Sequence, residues 1–293
     1  MVFENMEKTQ QLFSNNRKFL KLRRASKISD KSAGFLAEVA AEVLCDRLGA
    51  INREFDQTLD LLSHFDTLED ALMNHNSTRE VKRCGGLSFK RDLSTQTYDL
   101  TENGLIPFET ESLDLITSNF GLHWINNLPT LLAKIRTLLK PDGLFIAALP
   151  GDQTLSELRE CLIAAESEMA NHAALRIDPF GEVRQYGDLL QRSGFALPVV
   201  DSEKFTVRYS SLTRLISDLR AMGSTSSLAG TSSTMRRDVF KRTEQLYFDR
   251  YGESDGKFPA TFEIVFLLGW APHGSQQKPL RPGSAEFSLK DVL

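Results

Sequence analysis

The sequence predicts an α/β fold: a doubly wound, mostly parallel sheet with helices on both faces. Between residues 55 and 149, short apolar segments alternate with segments of helical periodicity, which implies right-handed crossovers between parallel strands. Residues 144–149 form a continuous apolar run, typical of a central strand covered on both faces. The 293 residues suffice for one large domain or two small ones at about 150 residues per domain. Ligands of such sheets bind at the carboxyl ends of the strands, so we expect a site there.

The elements follow in order along the chain. Apolar residues spaced as on one face of a helix predict a helix over residues 32–48. Three strands and an intervening helix are predicted next: strands 55–62, 86–92 and 112–118, with the helix at 68–73. The second half is predicted to contain helices 128–139, 154–170 and 182–193, strand 144–149, and a late antiparallel pair of strands, Phe205–Tyr209 and Phe262–Leu268.

Residues 212–260 separate the two late strands and are predicted to be a helical insertion. A helix from Leu212 to Met222 and another from Met235 to Tyr251 flank a stretch rich in Gly, Ser and Thr. By position, the insertion is expected to cover the carboxyl-end cleft as a lid, with Arg220 and the Gly/Ser/Thr stretch nearest the substrate. The alternative is a cap that only covers the edge of the sheet. The predicted units are an N-terminal helical segment (1–52), the sheet domain (53–211 and 261–293) and this insertion.

Composition narrows the class of protein. The formal net charge is −4, so a nucleic-acid partner, which needs a basic face, is not expected. The three cysteines, Cys45, Cys84 and Cys161, lack the spacing of a zinc site and suit a reducing compartment. Hydrophobic residues make up 41% of the chain, as in a soluble globular protein, and no apolar run is long enough to span a bilayer.

A series of motifs carries a resemblance to a known family. Ile106–Phe108, Ser112–Ile116, Leu122–Asn126 and Leu138–Phe145, in that order, resemble the second half of a class I S-adenosylmethionine-dependent methyltransferase domain. The segments Gln191–Pro198, Leu219–Gly223 and Gly269–Ser284 resemble bacterial relatives of the mitochondrial complex I assembly factor, an arginine hydroxylase, whose family is similar to the methyltransferase of biotin synthesis. The resemblance implies a seven-stranded sheet, S-adenosylmethionine as cofactor, a respiratory-complex subunit as possible substrate, and a bacterial cytoplasmic location rather than the mitochondrial matrix.

The resemblance also implies a cofactor loop at the end of the first strand. In the family this strand ends in Asp or Glu and continues x-Gly-x-Gly-x-Gly, because glycine lets the backbone approach the methionine part of the cofactor. Asp60 matches the acidic residue, but Leu62, His64 and Asp66 fill the glycine positions. A leucine in the left-handed region is costly, so the sequence predicts a loop of another shape or a narrowed cofactor cleft.

Two further acidic residues match the family's cofactor contacts. Asp92 matches the residue that accepts hydrogen bonds from the ribose hydroxyls, and Glu102 matches the acceptor of the adenine amine. The alternatives are a solvated loop aspartate and a surface turn residue.

His123 and Trp124 follow the strand at 112–118, where the methyl group would face its acceptor. His123 could act as a base or orient a substrate, and the alternative is a packed His-Trp pair that seals the end of the sheet. Asn126-Asn127 follows, where family members often have Asn-Asp. The remaining histidines show no ligand spacing, and no metal site is predicted.

Two functions of different classes remain open. The first is an S-adenosylmethionine-dependent methyltransferase, or a methyltransferase-fold enzyme that modifies a respiratory-complex subunit. The second is an assembly or binding protein that keeps the fold and has lost cofactor chemistry. The filled glycine positions favour the second, whereas Asp60, Asp92 and Glu102 favour the first.

Overall fold

The computed structural model describes residues 11–28, 34–85, 96–98, 106–170, 174–230 and 235–277. Its helices are α1 (Asn15–Ala25), α2 (Phe35–Gly49), α3 (Thr67–Met73), α4 (Leu128–Leu138), α5 (Ser156–Ala170), α6 (Val183–Arg192), α7 (Leu212–Ala221) and α8 (Arg237–Tyr251). Its strands are β1 (Phe55–Leu61), β2 (Thr78–Cys84), β3 (Gln96–Tyr98), β4 (Leu113–Asn119), β5 (Leu139–Pro150), β6 (Ala196–Tyr209) and β7 (Phe258–Trp270). A short 3₁₀ turn, Leu122–Trp124, follows β4.

The described strands form one mixed sheet in the order β3-β2-β1-β4-β5-β7-β6. The neighbours from β3 to β5 run parallel, whereas β7 runs antiparallel to both β5 and β6. Residues 144–148 of β5 pair with β4 on one side and with β7 on the other. The predicted α/β class, the central position of the apolar run and the late antiparallel pair are confirmed.

The position of the second strand was predicted wrongly. The strand beside β1 is Thr78–Cys84, which the sequence analysis left unassigned, while the predicted strand 86–92 lies outside the described residues. The β2 sequence alternates poorly because it carries Arg79, Glu80, Lys82 and Arg83. All four take part in ion pairs, Arg83 inside the protein and the other three nearer its surface, so charge obscures the strand pattern.

The sheet is packed on both faces. Ile116 of β4 faces a core cluster with α4 and α6, and its neighbour Leu115 faces a second cluster with α2 and α3, as expected for the alternating side chains of a strand. A third cluster joins α5, α7 and α8 to the ends of β6 and β7. Helices α7 and α8 lie within residues 212–260, so this cluster packs that segment against the sheet.

None of the helices in the described part of the chain combines the length and hydropathy that a bilayer-spanning helix needs.

Candidate functional site

Two neighbouring features lie at the carboxyl ends of β1, β4 and β5. The first is the loop that follows β1, residues 60–66, which we call the 60–66 loop. The second is a cavity of about 220 Å³ between the ends of the sheet and the helices α5 and α7. His123 and Trp124 lie between them: both line the cavity, and both have ring contacts with His64 of the loop.

Leu62 makes the 60–66 loop turn. Its φ is +61°, in the left-handed region that favours glycine, so the loop has a left-handed residue at the first of the three glycine positions. The Leu62 N–H donates to the Cys84 carbonyl at 2.9 Å. A side chain at Gly121 would drive its Cβ into the Leu62 carbonyl group, so the close approach of the two backbones requires glycine at position 121. The leucine is buried in the main core cluster, which offsets part of its backbone strain.

Asp60 lies at the end of β1 and is fully buried. The Ser63 hydroxyl donates to its Oδ1, whereas Oδ2 has no hydrogen-bond partner among the described residues. Burial raises the pKa of Asp60 to about 6, against the opposing effects of the Arg83 charge and the Ser63 hydrogen bond. The end of β1 therefore presents a buried carboxyl group that titrates close to neutral pH.

Asp66, which fills the third glycine position, forms an ion pair with the buried Arg83. Arg83 pairs with Asp60 in the register of β1 and β2, and only 1% of it is exposed. Its guanidinium donates to Asp66 Oδ1 at 2.7 Å, to Glu69 Oε2 at 2.9 Å and to the Ser63 carbonyl at 2.7 Å. Asp66 is therefore held in a buried ion pair. The sequence analysis missed Arg83, although acidic residues three apart, Asp66 and Glu69, signal a cationic partner on a neighbouring element.

His64 fills the second glycine position. The residue is 3% exposed, and its ring lies 5.0 Å from the Trp124 ring and 6.0 Å from the His123 ring, centroid to centroid. Neither ring nitrogen has a hydrogen-bond partner among the described residues. Burial, and then the nearby charge of Lys18, lower the pKa of His64 well below its ordinary value, so this imidazole is neutral at pH 7.

His123 and Trp124 lie side by side on the 3₁₀ turn after β4, with ring centroids 4.2 Å apart. Trp124 is buried, and its Nε1 donates to Asp178 Oδ2 at 2.7 Å. His123 has a buried Nδ1 without a partner in the described structure. Burial, followed by the charge of Lys18, lowers the pKa of His123 to about 3. Trp124 is thus packed inside the protein, whereas His123 lines the cavity with a neutral ring.

Asp178 connects the His-Trp pair to Ser226 and Ser227, and the sequence analysis missed it. Besides Trp124, it accepts hydrogen bonds from the Ser226 hydroxyl at 2.6 Å and the Ser227 N–H at 3.0 Å. These residues belong to the segment 222–230 that follows α7, which also contains the buried Leu228. Nothing in the sequence around Asp178 distinguishes it from a solvated turn residue.

The cavity is bounded largely by apolar side chains. They come from the carboxyl end of β5, from the amino-terminal half of the antiparallel β7, from α5 and α7, and from the loops near α6 and α8. They include Leu155, Leu158, Leu162, Ile177, Phe180, Ile216, Leu219, Met222, Met235, Phe262 and Ile264. Two carboxylates also line it and are already hydrogen-bonded: Asp178, as described, and Glu263, which accepts from the Ser202 hydroxyl and the Gln153 N–H at 3.0 Å each. Of the predicted lid residues, Ser224–Ser226 line the cavity, whereas Arg220 is exposed and does not.

The two asparagines after the His-Trp pair have separate structural tasks. The Asn126 side chain accepts from the Phe13 N–H at 2.8 Å and donates to the Phe13 carbonyl at 3.0 Å. Phe13 packs with Leu22, Trp124 and Leu228. The Asn127 side chain accepts from the Thr130 N–H and caps α4. The residues before α1 are thereby fastened over the His-Trp pair.

Two predicted cofactor contacts, Asp92 and Glu102, lie outside the described residues. Since β2 ends at Cys84, Asp92 does not directly follow the strand on which its proposed role was based. The described residues contain no group of three or more side chains able to hold a metal ion. Among the other histidines, His75 contacts the Ser77 hydroxyl and His273 the Ser275 hydroxyl, away from the site.

Comparisons with known proteins identify the family and the fold. A family model described as a methyltransferase domain matches residues 75–147. A Danio rerio protein named arginine-hydroxylase NDUFAF5, mitochondrial, is 34% identical over 284 residues, which cover 92% of this chain and 85% of that protein. A malonyl-[acyl-carrier protein] O-methyltransferase of Xylella fastidiosa is 36% identical over 168 residues, or 57% of this chain and 55% of that enzyme.

A crystal structure described as a methyltransferase from Bacillus halodurans superposes with a TM-score of 0.51 at 11% identity and covers 78% of this chain and 97% of that one. At this level of identity, the superposition shows a shared fold.

Proposed function

The chain belongs to the family of the arginine hydroxylase NDUFAF5, and from this premise we propose that it is an enzyme of the S-adenosylmethionine-dependent methyltransferase type that modifies a side chain of a respiratory-complex subunit. The observation that carries the proposal is the position of the cavity beside the 60–66 loop, at the strand ends where α/β proteins bind ligands. The methyltransferase-domain match and the O-methyltransferase relative support the reaction class. The NDUFAF5 relatives support a protein substrate. We place the protein in the bacterial cytoplasm.

The residues near the 60–66 loop fit the amino-acid end of S-adenosylmethionine through side chains rather than through glycine backbone. Buried polar atoms without partners in the described structure cluster there: one oxygen of Asp60, both ring nitrogens of His64, the Asn119 amide oxygen and Nδ1 of His123. Unpaired buried polar atoms are costly, so their concentration in one place supports a polar ligand. Asp60 and His64 would hold the cofactor, which supplies an electrophilic methyl group when bound.

His123 would orient the substrate rather than remove a proton from it. With a pKa of about 3, the imidazole is neutral at pH 7 but is too weak a base to retain a proton. Its free Nδ1 is available for a hydrogen bond to a group entering the cavity. Trp124, fixed by Asp178, keeps the His123 ring in place by packing against it.

Residues 222–230 would act as the lid over the substrate. Ser224–Ser226 line the cavity, and the hydrogen bonds of Ser226 and Ser227 to Asp178 hold this segment closed. For a substrate side chain to enter the cavity, either these hydrogen bonds must break or the side chain must pass beside the segment. The alternative role, a cap on the sheet edge, predicts that the segment stays closed in the complex.

A second function, an assembly or binding protein without methyl transfer, is favoured by the filled glycine positions. His64 occupies space next to Trp124, and Asp66 is held by the buried Arg83. In this case the cavity would bind a partner, and the 60–66 loop would be purely structural.

Calorimetric titration with S-adenosylmethionine tests the two functions against each other. The variants are wild type, His64→Gly, and His273→Gly as a control at an exposed histidine remote from the loop. The enzyme predicts saturable binding to wild type and to the control, with weaker binding to His64→Gly because a ligand contact is lost. The binding protein predicts no signal with wild type and a gain in His64→Gly because the glycine opens the cleft.

A further inference from the structure

The charged side chains that line the cavity are already engaged within the protein. In the described structure there are three of them: Arg176, Asp178 and Glu263. Both oxygens of Asp178 and both oxygens of Glu263 accept hydrogen bonds from neutral donors. The Arg176 guanidinium donates to Oε1 of the buried Glu166 at 2.6 and 2.8 Å. A charged ligand in the cavity would lose its hydration and compete with these contacts, whereas an uncharged ligand leaves them intact.

Aromatic rings and methionines form a large part of the cavity wall. The rings belong to five residues: Phe120, His123, Trp124, Phe180 and Phe262. Met222 and Met235 line the cavity as well. Burial lowers the pKa of His123 to about 3, so its ring adds no charge to the wall at pH 7. Aromatic rings and thioether sulfurs both make favourable contacts with an aromatic ligand, in addition to the burial of its apolar surface.

The volume of the cavity suits a single ring. An apolar cavity of about 150 Å³ in a protein interior binds benzene. The cavity here measures about 220 Å³, so it has room for a benzene ring with a small substituent. Water is held weakly by such a wall, since few of the polar atoms that line it are free to bond.

We propose that the cavity binds a neutral aromatic group, a benzene ring with a small uncharged substituent. The ring packs against the phenylalanine and methionine side chains of the wall, and the charged side chains keep their partners within the protein. The aromatic site deepens the proposed function by naming the class of group that enters the cavity, and it rests on that function only for the cavity being the substrate site. Binding of the ring requires neither cofactor nor methyl transfer.

Three probes that share a benzene ring test the charge of the ligand. At pH 7 toluene is neutral, benzylammonium is a cation and benzoate is an anion. Each probe is titrated into the full chain, and NMR follows the methyl signals of Met222 and Met235, with the exposed Met73 of α3 as the internal reference. Toluene is expected to shift the two cavity signals saturably, and both charged probes should bind more weakly by about tenfold or more.

Two matched isoleucine variants show whether toluene binds in the cavity. Ile216→Phe places a larger ring in the cavity wall and should weaken toluene binding by about tenfold or more. Ile163→Phe changes an exposed residue of α5 that does not line the cavity, and it should bind like wild type. If Ile216→Phe is poorly folded, Leu158→Phe fills the cavity from α5 and serves in its place.

Three results overturn the aromatic site. The first is a toluene titration of wild type that does not saturate. The second is a charged probe that binds as tightly as toluene, because it would show that the carboxylates or Arg176 are available to a ligand. The third is equal toluene affinity in wild type and in a folded variant with a filled cavity.

A capped amino acid identifies the source of the ring. N-Acetyl-phenylalaninamide carries the ring of toluene on a polypeptide backbone. Displacement of toluene by this compound assigns the site to an aromatic side chain of a protein substrate. Failure to displace it assigns the site to a free aromatic molecule. In that second case the aromatic site stands while the protein substrate of the proposed function is excluded from the cavity, so the two proposals fail separately.

Discussion

The 60–66 loop and the cavity lie at the same edge of the sheet, but their buried carboxyl groups differ: Oδ2 of Asp60 in the loop has no partner in the described structure, whereas both carboxylates that line the cavity are hydrogen-bonded. At the loop, Asp60 and His64 are buried with polar atoms that have no partner in the described structure. At the cavity, the carboxylates Asp178 and Glu263 are hydrogen-bonded and the remaining wall is mainly apolar. A polar ligand at the loop could therefore form hydrogen bonds with these atoms. The cavity carries unfilled apolar space, which an uncharged group fills most favourably.

Residues 222–230 and the residues before α1 cover both features at once. Phe13 is hydrogen-bonded to Asn126 and packs with Leu228 near Trp124. The Ser14 N–H donates to the Ser227 carbonyl at 2.8 Å. Displacement of one segment therefore disturbs the other, and ligands of the loop and of the cavity should affect each other's binding.

Arg83→Met is the most severe test of the loop. It leaves Asp66 and Glu69 buried without their cation, a change that costs about 3–5 kcal/mol of unfolding free energy. Arg79→Met on the same strand removes only exposed ion pairs with Glu54 and Asp56 and should lower the unfolding free energy far less. Urea unfolding of both variants measures the difference. Equal costs would show that the buried ion pairs do not hold the loop.

Asp60→Asn tests, through the pH dependence of stability, whether the buried carboxyl group of the loop has a raised pKa. Because folding raises the pKa of Asp60 to about 6 from an ordinary value of 3.8, the folded state binds more protons than the unfolded state between these values. The contribution of Asp60 to wild-type stability is thus fully present below pH 3.8 and is lost as pH rises through 6.

The amide that replaces the carboxyl group in this variant has no such titration. The stability of Asp60→Asn relative to wild type should therefore increase by up to about 3 kcal/mol between pH 3.5 and 7.5, at 1.36 kcal/mol per pKa unit. Unfolding free energies measured across this range provide the test. A difference between the two proteins that stays flat with pH would mean that Asp60 is ionised normally in the fold.

Asn126→Ala tests the attachment that covers both features. It removes two hydrogen bonds to the Phe13 backbone and should lower the free energy of unfolding by about 1–2 kcal/mol. Trypsin should also cleave α1 faster at Arg23 or Arg24, since that helix is released first. Asn15→Ala, an exposed change at the start of α1, is the control. If both variants are cleaved equally, Asn126 does not fasten the segment.

Much of the fold could be predicted from the sequence because its signals are local. The apolar run at Leu144–Leu149 and the helical spacing of α4 identify the central strand and its flanking helix directly. The β2 strand was missed because its charged residues find partners only in three dimensions. The same limitation concealed Arg83 and Asp178, whose importance depends on burial and on hydrogen bonds to residues distant in sequence.

His123 and Trp124 were identified because they follow a strand, and the structure brings them together with His64. Lys18 could not be predicted, since its position over Trp124 depends on how α1 docks. The left-handed backbone of Leu62 could not be predicted either, because leucine is disfavoured in that conformation. Its packing against Gly121 and in the main core cluster stabilises it.

Leu158→Phe is the mildest test, and it sharpens the contrast between packed core and open cavity. Leu158 lines the cavity, so the larger ring can extend into existing space and should change the free energy of unfolding by less than about 1 kcal/mol. Leu59→Phe in β1 is the matched change: Leu59 is fully buried in the main core cluster, where overpacking costs about 1–3 kcal/mol. The ring introduced by Leu158→Phe should also reduce binding of the apolar dye Nile red, measured by fluorescence, because it removes part of the apolar volume. Equal destabilisation by the two changes, with undiminished dye binding by Leu158→Phe, would show that the cavity is not open to an apolar group.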